Sequence, residues 1–346
     1  MLDLIKETAA SFGFDSVATT SVDALTIDGQ RFRDWLDKGY HAGMAYMARN
    51  PNLQSNPADL FEGARSIITL AISYSADEVK NSNGGRVARY AWGQDYHNVV
   101  KEKLRLMVEQ LESRLGRSIQ ARSFVDAVPL LERAAARRAG LGFQGKNTML
   151  IRRRAGSYFF IAEILSNLEL NDTQPIRGTC GTCTRCIEAC PTNAITEPYQ
   201  IDSNLCIAYL TIENREGIPV ELRPKIGDWI FGCDICQEVC PFNRFASTSV
   251  IDEFLPQQGA GQKLDIVEIL QLDSDEEFRL KFKRTPLLRA KRRGLVRNAI
   301  VVAGNQKCED ARDELERISA DSSDTMLQEH ANWALSELDS ENHSSG

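Results

Sequence analysis

Eight of the nine cysteines fall between residues 180 and 240, and their spacing constrains the fold more than any other feature of this 346-residue chain. The first run is Cys180-x2-Cys183-x2-Cys186-x3-Cys190-Pro191, the bacterial ferredoxin spacing, in which three thiolates hold one cubane and the fourth reaches a neighbouring cluster. The second run, Cys233-x2-Cys236-x3-Cys240-Pro241, lacks the leading cysteine of a standard repeat, and Cys206 is the nearby thiol that can replace it. The spacing therefore assigns Cys180, Cys183, Cys186 and Cys240 to one 4Fe-4S cluster, and Cys190, Cys206, Cys233 and Cys236 to a second. Each run lends one ligand across, which keeps two clusters close enough for stepwise one-electron transfer. Structural zinc is the plain alternative, but zinc ribbons pair separated Cys-x2-Cys knuckles and do not need the Cys-x3-Cys-Pro tail. Spacing does not exclude clusters that only staple the fold. Cys308, alone in a helical stretch, reads as a buried apolar residue.

Thiols gathered in one third of a chain suit metal ligation in a reducing compartment better than a secreted disulfide framework. No run approaches the roughly 18 apolar residues that cross a bilayer. The start, Met1 to Glu7, lacks a basic end followed by an apolar stretch. A cytoplasmic protein with no membrane partner is expected. The formal charge of -7 argues against a uniformly basic nucleic-acid binder but allows a local basic patch.

The 42% hydrophobic content is ample for two or three domains. Residues 1–170 alternate helical and strand patterns and are expected to form an α/β domain. Met1 to Phe12 reads as an amphipathic helix and Ser66 to Ile72 as a buried strand. A long helix begins near Asp95, whose side chain can cap it, and stops at Gly116. A strand over 119–125 feeds a second helix from about Pro129 to Ala139, followed by a glycine-rich loop over 140–147. Two apolar segments, 148–151 and 158–165, look like a hairpin that completes the sheet. Residues 171–248 form the expected ferredoxin-like two-cluster domain. From Lys263 onward apolar residues recur at helical spacing over 295–303, 311–318 and 326–338, which suggests stacked helical pairs over 249–346. The polar end, 340–346, is expected to fray.

The first domain contains neither Gly-x-Gly-x-x-Gly after a strand nor Gly-x4-Gly-Lys-Ser/Thr, so nicotinamide and ATP sites lose support. Asp95-Tyr96-His97 begins like the cobalamin motif Asp-x-His-x-x-Gly, but Val100 stands at the glycine position. Four segments carry a family resemblance that covers essentially the whole chain. They are Arg89 to His97 (RYAWGQDYH), Val125-Asp126 through Leu131-Glu132-Arg133, Ala139 to Phe143 with Gly145-Lys146-Asn147, and Cys206-Ile207-Ala208-Tyr209-Leu210-Thr211. With these the chain resembles the epoxyqueuosine reductases, cobalamin and iron-sulfur enzymes related to reductive dehalogenases.

The resemblance implies reduction of a cyclopentane epoxide in tRNA with a GUN anticodon, by electrons that pass from a low-potential donor through both clusters to base-off cobalamin. It further implies Asp126 as general acid, and Arg89, Asp95, His97, Asp126, Arg133, Lys146 and Asn147 as cobalamin contacts. On spacing alone, Asp126 reads as a turn or cap residue, and Arg133 and His97 read as ordinary helix positions. From Arg279 to Arg297 there are nine Lys and Arg residues and no Asp or Glu. Taken alone such a run is more often a solvated helix face. The resemblance of 295–305 to a HEAT-like extension turns Arg284, Arg289, Lys291, Arg292, Arg293 and Arg297 into candidate tRNA contacts. A reductase of small organohalides and a plain electron carrier are the competing readings. The missing export signal and basic end oppose the first, and the long first domain opposes the second.

Overall fold

The computed structural model describes residues 1–78 and 84–340, so the polar end 340–346 expected to fray lies, beyond Ser340, outside the described residues. The first sheet has four strands in the order Ser16–Ser21, Ser66–Ser73, Phe159–Ser166 and Ala121–Phe124, and every neighbouring pair is antiparallel. Alternation along each strand decides which helix it meets. Ile68, Leu70, Ile72, Phe160, Ala162 and Ile164 share a core with Leu104, Met107 and Leu111 of the helix Tyr96–Leu115 and with Ile5 and Ala9 of Leu2–Ser11. On the other face Ala71 and Phe159 meet Ala136 and Ala139 of the helix Glu132–Ala139, while Ile67, Phe124 and Leu165 meet Ala135. Helices therefore cover both faces, which is why the central strands read as almost unbroken apolar runs.

The long helix is bounded as its sequence signals predict. The Asp95 carboxylate accepts the His97 N–H at its start, and Gly116 ends it with φ +63°. The next helix begins at Glu132, three residues later than expected. Ahead of it the chain turns through Asp126 at φ +47°, and the Leu131 N–H bonds to the Gln54 carbonyl, so the residues around Pro129 are held out of the helix. The expected hairpin does not form. Leu150–Ile151 pairs with Phe143–Gln144 across a turn closed by Gly145 N–H on the Met149 carbonyl. Those backbone groups are then spent, and Phe159–Ser166 enters the middle of the large sheet alone.

A second sheet places Gly85–Val87 between Trp229–Phe231, which is parallel to it, and Lys263–Leu264, which is antiparallel. Each strand comes from a different one of the three stretches expected as domains. The C-terminal stretch is helical over Ile266–Leu270, Asp275–Lys281, Lys291–Gln306, Arg312–Ala320 and Thr325–Asp339. Ser274 and Glu277 form a reciprocal capping box on Asp275–Lys281. Lys291–Gln306 is buried at every residue from Gly294 to Gly304, because Thr325–Asp339 packs on one side and Trp229–Phe231 on another. Cys308 is half-buried against the same core.

His330 anchors this region from within. It is wholly buried, its Nε2 accepts the Ile218 N–H at 3.0 Å, and its Nδ1 lies 2.7 Å from the Met326 carbonyl. Burial, reinforced by the Arg223 cation, lowers its pKa from 6.5 to about 4. The unfolded chain therefore binds a proton that the folded chain refuses. This contribution is intact above pH 6.5 and is lost as pH falls toward about 4. The loss should reach about 3 kcal/mol. Urea midpoints at pH 7 and pH 4.5 should show it, and His330→Gln should remove this component of the pH dependence.

Candidate active site

The thiols lie in two neighbouring groups. Cys186 neighbours Cys180, Cys183 and Cys240, while Cys206 neighbours Cys190, Cys233 and Cys236. Cys186 also faces Cys236, so the sets lie side by side. The one-turn helices Arg185–Glu188 and Ile235–Glu238 set the short spacings. Burial pushes the Cys233 and Cys236 thiols far up, so their thiolates need the positive charge of iron.

The glycine-rich loop serves these cysteine loops. The Lys146 N–H points at Cys180 Sγ at 3.4 Å, and its ammonium donates to the Gly181 and Cys183 carbonyls at 2.9 Å each. Asn147 Nδ2 donates to the Cys236 carbonyl at 3.3 Å. Both side chains, expected at the corrin, are engaged by the cysteine loops. Arg89 is pinned as well: it donates to the Ala76 carbonyl, faces Glu78, and lies over the Trp92 and Tyr158 rings. Its own N–H donates to Asp234 Oδ2 at 2.6 Å, beside Cys233.

Asp126 sits just beyond the strand Ala121–Phe124, with its side chain 68% exposed. The Tyr96 hydroxyl donates to Asp126 Oδ2 at 2.7 Å, and His97 Nε2 is 3.9 Å from the same oxygen. His97 Nδ1 is held 2.7 Å from Asp95 Oδ1. Desolvation works against the Asp95 carboxylate, but the His97 ring and N–H outweigh it and hold Asp95 below the usual range. Arg133 is exposed and donates to the Thr148 carbonyl at 3.0 Å. Residues 146–148 therefore touch the cysteine loops at one end and the helix Glu132–Ala139 at the other.

Tyr46 sits across from this wall, with the Arg289 guanidinium 5.8 Å above its ring and Arg289 paired to Glu213 at 2.6 Å. Burial, then the negative charges of Glu213 and Asp126 against the opposing Arg289 cation, raise the Tyr46 hydroxyl. Tyr46, Tyr96 and Glu163 were not picked out from the sequence. Glu163 carries a readable signal, a lone charge inside the apolar strand Phe159–Ser166. The two tyrosines carry none.

The basic run divides. Arg297 is fully buried and donates to the carbonyls of Leu210, Asn214 and Glu216 and to Asn298 Oδ1. Its expected role at tRNA is corrected: every donor is spent inside the protein, and no phosphate can reach it. Arg289 pairs with Glu213, Arg293 with Asp324, and Arg292 with the Leu272 carbonyl and Asp275. Arg284 and Lys291 are exposed, with no side-chain partner among the described residues. The Arg284 carbonyl accepts the Asp95 N–H at 2.6 Å, which ties this segment to the start of the helix Tyr96–Leu115.

Comparison with known proteins agrees with this layout. A family model described as "Epoxyqueuosine reductase QueG, DUF1730" matches residues 54–127, and one described as "4Fe-4S double cluster binding domain" matches 179–243. The epoxyqueuosine reductase of Leadbetterella byssophila is 43% identical over 298 residues, 86% of this chain and 97% of the relative. That of Escherichia coli is 36% identical over 342 residues, 96% of this chain and 88% of the relative. A crystal structure of epoxyqueuosine reductase with an epoxyqueuosine-modified tRNA-Tyr stem loop superposes with a TM-score of 0.90 at 31% identity, covering 97% of this chain and 90% of the other. A Bacillus subtilis epoxyqueuosine reductase, captured with an aspartate catalytic loop swung out of the active site, matches with the same score, identity and coverage. Identity at this level along nearly the whole chain settles kinship: the chain belongs to the epoxyqueuosine reductase family.

Proposed function

We propose that this chain reduces the cyclopentane epoxide of epoxyqueuosine to the alkene of queuosine in tRNA with a GUN anticodon, in the cytoplasm. The observation that carries the reading is the short bridge over 146–148 between the cysteine loops and the helix that follows Asp126. On this reading Cys180, Cys183, Cys186 and Cys240 hold one 4Fe-4S cluster, and Cys190, Cys206, Cys233 and Cys236 hold the other. Electrons from a low-potential donor cross both and reach the cleft beside Asp126.

Bound cobalamin would supply the two electrons that the epoxide carbons receive. We read the cofactor as base-off, in line with Val100 standing at the glycine position of the histidine-ligating cobalamin motif. Asp95, His97 and Arg133 line the wall where the cofactor would rest. Two electrons and two protons convert epoxide to alkene and water, and the oxygen leaves only if it is protonated. We assign this step to Asp126, whose side chain is largely exposed and whose carboxyl accepts from the Tyr96 hydroxyl.

Functionally we divide the chain at 1–170, 171–248 and 249–346, and we read the last part as a HEAT-like region that receives tRNA. With Arg297 buried and three arginines paired, Arg284 and Lys291 are the two of the six candidates left to meet phosphate. Charge reversal at both should weaken tRNA binding and reduce the slope of log affinity against log salt by about 2. An unchanged slope in filter binding would return the patch to a solvated surface. The whole reading is tested by supplying epoxyqueuosine tRNA and a low-potential reductant to protein loaded with about eight irons and cobalamin. Queuosine should be seen by mass spectrometry, and no conversion would overturn the assignment.

A further inference from the structure

Lys146 contacts one cysteine run through both its backbone and its side chain, and meets no carboxylate among the described residues. Its N–H points at Cys180 Sγ at 3.4 Å, and its half-buried ammonium donates to the Gly181 and Cys183 carbonyls at 2.9 Å each. The Lys146 carbonyl accepts the Tyr199 N–H at 3.0 Å, so the backbone is fixed as well. The turn that carries it is closed by Gly145 N–H on the Met149 carbonyl at 2.8 Å and by Thr148 N–H on the Gly145 carbonyl at 2.9 Å. Thr148 stands there at φ +67°. A β-branched residue keeps that conformation only where its surroundings over-determine it. The ammonium is therefore held in one place against the loop.

The other charges of this run are Arg185 and Glu188. They are exposed, opposite in sign and on the same one-turn helix, so water screens them and they offset each other. The second cysteine set is met differently. Asn147 brings it a neutral amide, at the Cys236 carbonyl, and the buried charge beside Cys233 is the carboxylate of Asp234. That carboxylate accepts the Arg89 N–H and faces the Arg89 guanidinium, which offsets part of its field. The bridge thus lays a cation on one set and a neutral group on the other.

A cluster held by four thiolates becomes more negative when it takes an electron, and its potential follows net charge and the hydrogen bonds its sulfurs receive. An N–H on a cysteine sulfur and a fixed ammonium on the loop both favour the reduced form. We propose that Lys146 sets the two cluster potentials apart, raising that of the cluster on Cys180, Cys183, Cys186 and Cys240 so that an electron entering the relay rests there. The inference rests on the two-cluster reading given above. Its use follows from stoichiometry: the epoxide needs two electrons and each cluster carries one, so a place that stores the first spares the cleft a one-electron step.

The test is an anaerobic titration of the loaded full chain with dithionite, followed by electron paramagnetic resonance. Wild type should show two one-electron steps. Lys146→Gln keeps a donor for the loop carbonyls and removes the charge. It should lower the upper step by about three- to tenfold in the reduction equilibrium, tenfold being ~59 mV, and leave the lower step within about twofold. Lys146→Arg keeps the charge and should stay within about twofold of wild type at both steps. The proposal is overturned if Lys146→Gln leaves the upper step in place or moves both steps alike, or if Lys146→Arg falls as far as Lys146→Gln. Lys146→Met gives the same reading should Lys146→Gln fail to take up iron. Failure of both while Lys146→Arg loads would make the residue a structural tether and also overturn the proposal. About eight irons per wild-type chain check the cluster reading itself. A chain without them would sink that reading, whereas a loaded chain with unmoved steps would sink the role of Lys146 alone.

Discussion

Asp126→Asn should keep both clusters and bound cobalamin and lose about 10²- to 10⁴-fold in kcat. The substitution isolates the proton. Asparagine tolerates the left-handed backbone that Asp126 adopts at φ +47°, so the turn survives. The Asp126 N–H still reaches Glu132, and an amide oxygen still accepts from the Tyr96 hydroxyl. What is lost is an acid that can hand a proton to the departing oxygen. Single-turnover conversion by preloaded enzyme reads this step directly, with visible spectra recording the clusters and the cofactor. Undiminished turnover would remove Asp126 from the chemistry and redirect attention to Tyr96.

Arg297→Ala should destabilise the protein by about 3–5 kcal/mol and deplete it of iron. The guanidinium is fully buried, and burial lowers its pKa to about 9. It is tolerated there because it bonds to Leu210 at 2.6 Å, Asn214 at 3.0 Å, Glu216, and Asn298 Oδ1 at 2.8 Å. Removal leaves the Leu210 and Asn214 carbonyls and Asn298 Oδ1 without the donor they have now, while the Glu216 carbonyl keeps Asn214 Nδ2. The damage is local to the second cysteine set, since Leu210 lies on the helix Ile207–Ile212, whose N-cap is Cys206. Thermal melting and iron content should fall together. Arg297→Lys should rescue only part of the loss, because one ammonium cannot span acceptors arranged around a planar fork. A variant with wild-type melting and full iron would refute this account.

The legible parts of the molecule were those written in local chemistry. Cysteine spacing is readable because three- and four-residue loops can wrap only one corner of a cubane, and it points to Cys206, far outside either run, as the eighth thiol. Asp95 and Gly116 bounded the long helix, as capping physics requires. The illegible parts depend on partners distant in sequence. Nothing near Leu150 signals that Phe143 will pair with it before Phe159 can. Nothing in the basic run distinguishes Arg297 from Arg284, yet one is core and the other surface, because Lys291–Gln306 is enclosed on several sides. Lys146 and Asn147 were legible as a site but not as to which neighbour they serve, and Tyr96 joins Asp126 only through the packing of two separate elements.

The middle position of Gly85–Val87 in the second sheet has a consequence for biosynthesis. Its two neighbours, Trp229–Phe231 and Lys263–Leu264, leave the ribosome long after it does. The N-terminal half therefore waits, unfinished, while the whole cysteine region emerges, and closure comes only once Leu264 is free. A chain truncated before Lys263 should remain soft and accessible to proteases, however much iron it is given.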